Sequence, residues 1–529
     1  MKLKTFFTIT LPVIAGIFVY LFSENYFEKK SEPYDFSKYE NQTSEVNVSD
    51  TSVTKFSAYS DGYNIYTNSP YGYEIVLLNT LSLNEDIVSV KSRFESDNLV
   101  VDVLYDDFTD TLDSVNTYNS YGNKGIRENT EFKITGEYDE IYNGINVHIT
   151  FYERKSNGLH DKNYYVTAAF ERSELEIVTV FIKSSEAIDV NHIMPVFRFI
   201  DKSGEMKPNI VFKPVKKSLG TLTQQFYDKY FINNENLSFG IFEPLFPEHV
   251  ENMKALEEML DYNFPVALLY NRFELPYKHE HMNNAKKHNT VIEYTLYTMD
   301  KVDGVQKDIT LDILGGRYDD YLNDLASGFR EYNFPVLFRL NNEMNGSWVT
   351  YSAFHIGKDS DLYIDCWRYI YNKFKEYGVN NLIFVWNPNE ISFPGYAYNH
   401  YLNYYPGDEY VDIVGLTAYN TGNYYEGETW RSFEDAYDHF YYEYKGQFEH
   451  PFMITEFSCA EAGGDKSAWF DDMFDKIAGY DRIKLAVLWN GQDFDITKSE
   501  KTISRNYRLD LDDSVIKSVR EGLKKYKNP

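Results

Sequence analysis

Two glutamates stand where apolar segments end. Val336-Leu-Phe-Arg-Leu-Asn-Asn-Glu-Met-Asn-Gly-Ser-Trp348 runs apolar to Leu340 and reaches Glu343, and Pro451-Phe-Met-Ile-Thr-Glu-Phe457 closes on Glu456. A carboxylate at the end of an apolar strand must meet water or a partner, because burying it alone is costly. One such residue is as well explained by an ion pair. Two on separate strands suit a definite chemistry, the cleavage of an acetal C–O bond. There one carboxylate attacks the anomeric carbon and one carboxylic acid protonates the departing oxygen, about 5 Å away when configuration is retained. The acid needs a raised pKa and the nucleophile a low one, so their surroundings must differ. Arg339 or a hydroxyl can hold Glu456 ionised, while Glu343 lies in a loop open to the leaving-group side.

Those glutamates need elements to aim them. From about residue 219 onward, short apolar runs alternate with helical stretches, the pattern of parallel βα units. The expected strands are Leu237–Phe242, Pro265–Tyr270, Thr290–Tyr297, Val336–Asn341, Asn381–Trp386, Val411–Leu416, Pro451–Glu456 and Lys484–Trp489. Between Tyr363 and Tyr377, residues Tyr363, Cys366, Trp367, Ile370, Tyr371, Phe374 and Tyr377 recur at helical spacing. Eight strands in residues 219–529 fit one α/β domain, a (β/α)8 TIM barrel, whose chemistry sits at the C-terminal ends of its strands. An open doubly wound sheet is the alternative, but no Gly-rich phosphate loop follows the first strand. In the barrel Glu343 and Glu456 fall after strands four and seven, whose rims face each other across the mouth.

Several motifs in this region resemble glycoside hydrolase family 26, a clan A family that includes β-mannanases, lichenases and β-1,3-xylanases. Arg339-Leu-Asn-Asn-Glu-Met-Asn-Gly-Ser-Trp348 is similar to its Arg-x-x-His-Glu-Met-Asn-Gly-x-Trp motif. Gly316-Arg-Tyr-Asp319, Phe384-Val-Trp-Asn-Pro-Asn389, Val411-Asp-Ile-Val-Gly-Leu-Thr-Ala-Tyr419, Thr455-Glu-Phe457 and Trp489 follow in the family's order. The resemblance implies Glu343 as acid/base and Glu456 as nucleophile of a retaining endo-glycosidase. It implies that Arg339 organises the site, Tyr419 positions Glu456, and Trp489 stacks under the sugar. Trp348 and Trp386 are further candidates for lining the cleft, against plain core packing. Asn342 stands where the family usually has histidine; in the wider clan an asparagine there bonds the sugar 2-hydroxyl.

Upstream, residues 55–215 read mostly as strands. Ile145-Asn-Val-His-Ile-Thr-Phe151 alternates cleanly, and Leu99–Tyr105, Tyr164–Phe170 and Leu175–Ile182 are further strands. An antiparallel sheet closed by a helix over Val190–Ile200 makes a smaller α+β domain. With Gly72-Tyr-Glu-Ile75 opening a hairpin, its outline resembles PsbP-like domains. It holds no catalytic constellation, His148 reads as a solvated histidine, and any protein partner is unknown. Residues 23–54 read as a polar linker, and the apolar run Phe6–Phe22 within residues 1–22 as a signal anchor. That places the bulk outside a cell membrane in a single-pass protein, or secretes it if the segment is cleaved. The net charge of -29 excludes nucleic acid as a partner. Neither cysteine is in a zinc spacing, and hydrolysis by two carboxyls needs no metal and no cofactor. The expected partner is a neutral β-linked polysaccharide; the alternative is a catalytically silent glycan-binding surface protein on the same scaffold.

Overall fold

The structure is a computed structural model. It describes residues 53–527 apart from 159, 160, 234–236, 274, 303, 304, 496 and 499. The proposed membrane segment and most of the linker therefore lie outside the described residues. Among the described residues no helix is long and apolar enough to cross a membrane.

The upstream region forms two antiparallel sheets where one was expected. Strands β1 (Thr54–Ser60), β2 (Tyr63–Asn68) and β3 (Tyr73–Leu78) begin the first. Strands β4 (Ser82–Asn84), β5 (Lys91–Glu95), β6 (Leu99–Asp107), β7 (Phe132–Tyr142), β8 (Ile145–Arg154), β9 (Tyr164–Glu171) and β10 (Glu176–Ser184) make the second, in the order β4-β5-β6-β10-β9-β8-β7. The expected closing helix shrinks to Val190–Ile193, and β11 (Val196–Phe199) instead pairs with β3. Pro195 accounts for this, because a residue before proline is driven out of the helical region. Strand β10 is buried from Ile177 to Ser184, since both of its faces are covered. On one face Phe170 of β9 stacks on Phe197 of the first sheet at 3.9 Å. On the other, Tyr165, Ile177 and Phe181 join the hydrophobic cluster that continues into the barrel. His148 is not simply solvated: its ring bonds Asp139 at 2.8 Å and Glu137 at 3.3 Å.

The eight expected barrel strands are present. They are β12 (Ser238–Phe242), β13 (Val266–Arg272) and β14 (Val291–Tyr297), then, after a ribbon of β15 (Met299–Val302) and β16 (Val305–Asp308), β17 (Val336–Leu340), β18 (Leu382–Trp386), β19 (Ile413–Thr417), β20 (Phe452–Phe457) and β21 (Ile483–Trp489). All barrel pairs are parallel, and β12 closes on β21. A short ribbon, β22 (Gln492–Phe494) with β23 (Ile503–Asn506), follows. Alternation sends Val291, Leu337, Ile383, Val385 and Met453 inward, where Phe226 and Phe231 of the preceding helical turns pack with them. Their neighbours Ile292, Phe338, Phe384 and Ile454 face outward onto the helices. The helix read from Tyr363–Tyr377 spans Ser360–Glu376. One unit departs from the pattern. Between β18 and β19 stand only two 3-10 turns, Ala397–Asn399 and Tyr401–Tyr404, among the described residues. Pro394, Gly395, Pro406 and Gly407 break any longer helix there, and buried Tyr398, Tyr401 and Tyr404 fill the place of its side chains.

Candidate active site

The site is organised around one buried cation. Alternation on β17 turns Arg339 inward, where it is 0% exposed. Its Nε lies 3.1 Å from Glu293 Oε1 and donates to Thr295 Oγ1 at 2.7 Å, both on β14. Its Nη1 donates to Asn387 Oδ1 at 3.1 Å and lies 3.3 Å from Glu456 Oε1. An unpaired guanidinium there would be prohibitive, and both carboxyls lie within pairing distance of it.

Glu456 reaches this cation through a β-bulge. Leu416 pairs with Ile454 but Thr417 with Glu456, and Ile454 pairs with Ala486 but Phe457 with Leu488, so β20 carries one extra residue against both neighbours. Such a bulge re-aims side chains. Ile454 and Phe457 both stay on the outer face, and Thr455 reaches Asn387 at 3.0 Å. Three donors meet the Glu456 carboxyl. Besides Arg339, Asn342 Nδ2 donates to Oε1 at 3.3 Å, and the Tyr270 hydroxyl of β13 donates to Oε2.

Glu343 has a different setting. Its backbone is left-handed at φ 54, a conformation a glutamate rarely adopts, and Asn341 is left-handed at φ 51, which asparagine tolerates. Asn341 is held by Thr298, whose N–H donates to its Oδ1 at 2.7 Å, and Glu343 N donates to Asn387 O at 2.7 Å. The side chain receives a hydrogen bond from Trp348 Nε1 at 3.2 Å. Burial, followed by the negative charge of Glu456, pushes the Glu343 carboxyl up to about 8. Trp348 and Arg339 pull the other way, and Glu390 adds to the rise. One glutamate thus sits among donors and the other is kept as an acid, the division that acid and nucleophile require.

The aromatic candidates separate by place. Trp348 is 54% exposed beside Glu343, and its ring lies where a Cβ on Gly346 would sit, 2.4 Å away. Trp489, half-buried at the end of β21, stacks on Phe242 (5.2 Å, 13°) and donates to the Tyr270 hydroxyl at 3.1 Å. Tyr419 packs edge-on against Trp489 at 6.2 Å and tilts against Tyr507 at 5.2 Å. Burial, then the negative charge of Glu456, opposes its ionisation, but the hydroxyl donated to Glu456 is Tyr270's. Trp386 is not in the cleft. It is 0% exposed on the outer face of β18, bonded to Tyr404 O at 3.2 Å and packed on Tyr405 and Phe448. Plain core packing is therefore its role. Cys366 and Cys459 are free and buried.

Three residues here were not singled out from the sequence. Tyr270 closes an expected strand with a hydroxyl, and that was its signal. Glu293 is the one acidic residue within Val291–Tyr297 and falls inward by alternation; burial pushes its carboxyl up to about 8, against the pull of Arg339. Asn387 accepts from Arg339 and Thr455 with its side chain and from Glu343 with its backbone, which no sequence signal foretells. Glu390 is half-buried in a bidentate pair with Arg431 at 2.6 and 2.7 Å.

Comparison with known proteins agrees with the motifs. The model of Glycosyl hydrolase family 26 matches residues 272–487. Endoglucanase H of Acetivibrio thermocellus is 29% identical over 184 residues, covering 34% of this chain and 20% of that protein. A mannan endo-1,4-beta-mannosidase of Bacillus subtilis is 29% identical over 188 residues, 34% of this chain and 46% of that one. Mannan endo-1,4-beta-mannosidase A and B of Caldalkalibacillus mannanilyticus is 37% identical over 114 residues, 20% and 21% of the two. The matches thus span from a fifth to under half of these relatives' lengths. Among solved structures, the catalytic domain of a Bacillus sp. JAMB-750 GH26 endo-beta-1,4-mannanase aligns with a TM-score of 0.46 at 17% identity, over 59% of this chain and 92% of that one.

Proposed function

We propose, from a C-terminal region that belongs to glycosyl hydrolase family 26, that the barrel cleaves a β-linked polysaccharide internally, with Glu343 as acid/base and Glu456 as nucleophile. The observation that carries this is the contrast between the two glutamates: Glu456 under three donors, Glu343 raised to about 8 beside it. A Glu456 oxygen attacks the anomeric carbon while Glu343 gives its proton to the departing glycosidic oxygen, leaving a glycosyl ester and a free chain end. Ester formation removes the Glu456 charge, which together with burial had raised the Glu343 pKa, so the same residue stays ionised and is free to accept a proton. It then takes a proton from water, the water oxygen attacks, and Glu456 leaves as a carboxylate with net retention. Trp489 supplies a ring beneath the sugar, and Trp348 one beside the leaving group.

The sugar is proposed as mannan-like, because most relatives at hand are named mannosidases, one endoglucanase notwithstanding. Asn342 takes the place of a histidine in that family's motif and bonds the nucleophile. We also propose that the chain works outside the cell, held by the apolar run near its start. The test is reducing-end release from β-mannan, mixed-linked β-glucan and xylan, with Glu456→Ala and Glu343→Ala alongside. Release lost in both variants supports the proposal and names the sugar. No release from any glycan, with binding that survives Glu456→Ala, would favour a silent glycan-binding protein. Anchoring is tested by whether the chain stays with membranes after a high-salt wash.

A further inference from the structure

Among the described residues the sheets upstream of the barrel carry no catalytic cluster, yet they meet the barrel at the loop that bears Glu343. We infer that the 54–199 region is a positioning frame for that glutamate, gripping residues 354–361 and so setting where the first half of the loop stands. This rests on the proposed role of Glu343 as acid/base.

The contacts run along the loop residue by residue. The Tyr121 ring lies 5.2 Å from that of Phe354. Gly125 comes so close that a Cβ there would stand 1.7 Å from Phe354 O. Asn129 Nδ2 donates to His355 O at 2.9 Å, and the Tyr152 hydroxyl donates to Gly357 O at 2.8 Å. The Lys358 ammonium sits 5.3 Å from the centre of the Tyr118 ring. Asp359 receives the Tyr165 hydroxyl at 3.1 Å and Lys183 Nζ at 3.0 Å. Arg93 and Lys183 then pair with Asp361. These contacts come from β5, β8, β9 and β10 of the second sheet and from the two short helices, Val115–Tyr121 and Lys124–Glu128, that join β6 to β7, so the sheet and its helical cover together hold the whole stretch.

The held half is tied to the catalytic half. His355 Nε2 donates to Ser347 O at 2.7 Å, a carbonyl that can only accept. Ser347 precedes Trp348, whose indole donates to Glu343. The Tyr351 hydroxyl donates to Asn342 O at 2.7 Å, one residue before the glutamate. Backbone conformation supports the same conclusion. The loop carries left-handed non-glycine residues at both ends, Asn341 and Glu343 at one and Lys358 (φ 58) at the other. Such residues persist where the surroundings over-determine them. Thr298 of the barrel does this for Asn341, and the upstream sheet does it for Lys358.

The test uses the full chain with Gly125→Ala or Asn129→Ala, and Thr67→Ala on the far sheet as control. Each is assayed on the polysaccharide the wild type cleaves and on a dinitrophenyl glycoside of the same sugar, whose phenolate departs without a proton. Amide exchange of residues 344–356 is followed in parallel. A Cβ at Gly125 forces the Phe354 carbonyl to retreat by more than an ångström, so kcat/KM on polysaccharide should fall about 10²-fold. The dinitrophenyl glycoside should lose far less, and residues 344–356 should exchange faster. Asn129→Ala gives a smaller change in the same direction and carries the test if Gly125→Ala does not fold. Equal losses on both substrates, or unchanged exchange in 344–356, would overturn the inference. A wild type inactive on both substrates would instead sink the hydrolase reading. Exchange alone would then decide the grip, faster exchange upholding it and unchanged exchange removing it.

Discussion

Replacing Tyr270 by phenylalanine removes one oxygen and leaves the packing alone. The ring still stacks on Tyr297 at 5.9 Å and meets Phe242 at 5.4 Å. What goes is the hydroxyl that donates to Glu456 Oε2 and accepts from Trp489 Nε1. A hydrogen bond to a charged group contributes about 1.5–3 kcal/mol, which is roughly 10- to 100-fold in rate if it acts in one step only. The step matters. In the proposed route Glu456 begins as an anion, becomes an ester, and leaves again as an anion. A donor on Oε2 restrains its attack and assists its departure. Losing the donor should therefore slow ester breakdown by that factor. Formation should change less, because weaker restraint is offset by looser aim. The expected result is kcat and KM falling together, kcat/KM falling much less, and a sugar adduct accumulating on the chain. Steady-state kinetics on an aryl glycoside and the intact mass of acid-quenched enzyme measure both. A kcat/KM that falls as far as kcat, with no adduct, would refute the assignment of this hydroxyl to the nucleophile.

The raised Glu343 carboxyl predicts that kcat/KM falls on the alkaline side near pH 8, where its proton is lost. Glu343→Gln should abolish that limb, and a limb near the ordinary 4.5 would contradict the assignment. Since the Trp348 indole pulls the Glu343 pKa down, Trp348→Phe should move the limb to higher pH in the same profile. Trp386→Ala should cost about 3–5 kcal/mol of stability in urea unfolding, with kcat/KM per folded molecule unchanged, because the ring faces away from the cleft. Glu293, raised from 4.5 to about 8, binds a proton on folding between those values. Its contribution to stability is therefore whole below 4.5 and is lost as pH rises through about 8. Urea unfolding should show wild type losing more stability than Glu293→Gln from pH 5 to pH 8.5.

Much of the barrel was legible because its strands are continuous apolar runs, which parallel strands covered on both sides must be. Glu343 and Glu456 stood out because each stands where such a run ends. The missing helix between β18 and β19 was harder to see. Its segment Ala397–Tyr405 is as aromatic as a buried helix, and only the flanking prolines and glycines tell against one. The bulge in β20 was not legible at all, since strict alternation would have sent Glu456 outward. Trp386 failed for the opposite reason: alternation on β18 puts Val385 inside and Trp386 outside, and a motif match does not override that geometry. In the upstream region the pairing of β11 with β3 depends on a contact over 100 residues apart, which local pattern does not report.

The arrangement also explains how one chain makes two unlike acids from identical side chains. Two carboxyls, Glu293 and Glu456, lie against one guanidinium, and a third, Glu343, feels its charge. In a buried pocket one cation offsets one anion, and each further anion would face uncompensated repulsion. The donors decide how the remainder is settled. Glu456 takes Arg339, Asn342 and Tyr270; Glu343 takes a single indole; Glu293 has only the far side of Arg339, and neither of its oxygens has a hydrogen-bond partner among the described residues. Both poorly served carboxyls are pushed to about 8. Glu293 then keeps a proton through neutral pH, which leaves Arg339 to Glu456. If Glu293 were ionised, Arg339 would be shared and the contrast between acid and nucleophile would narrow. A residue too deep to touch sugar thereby bears on which of the two mouth glutamates attacks.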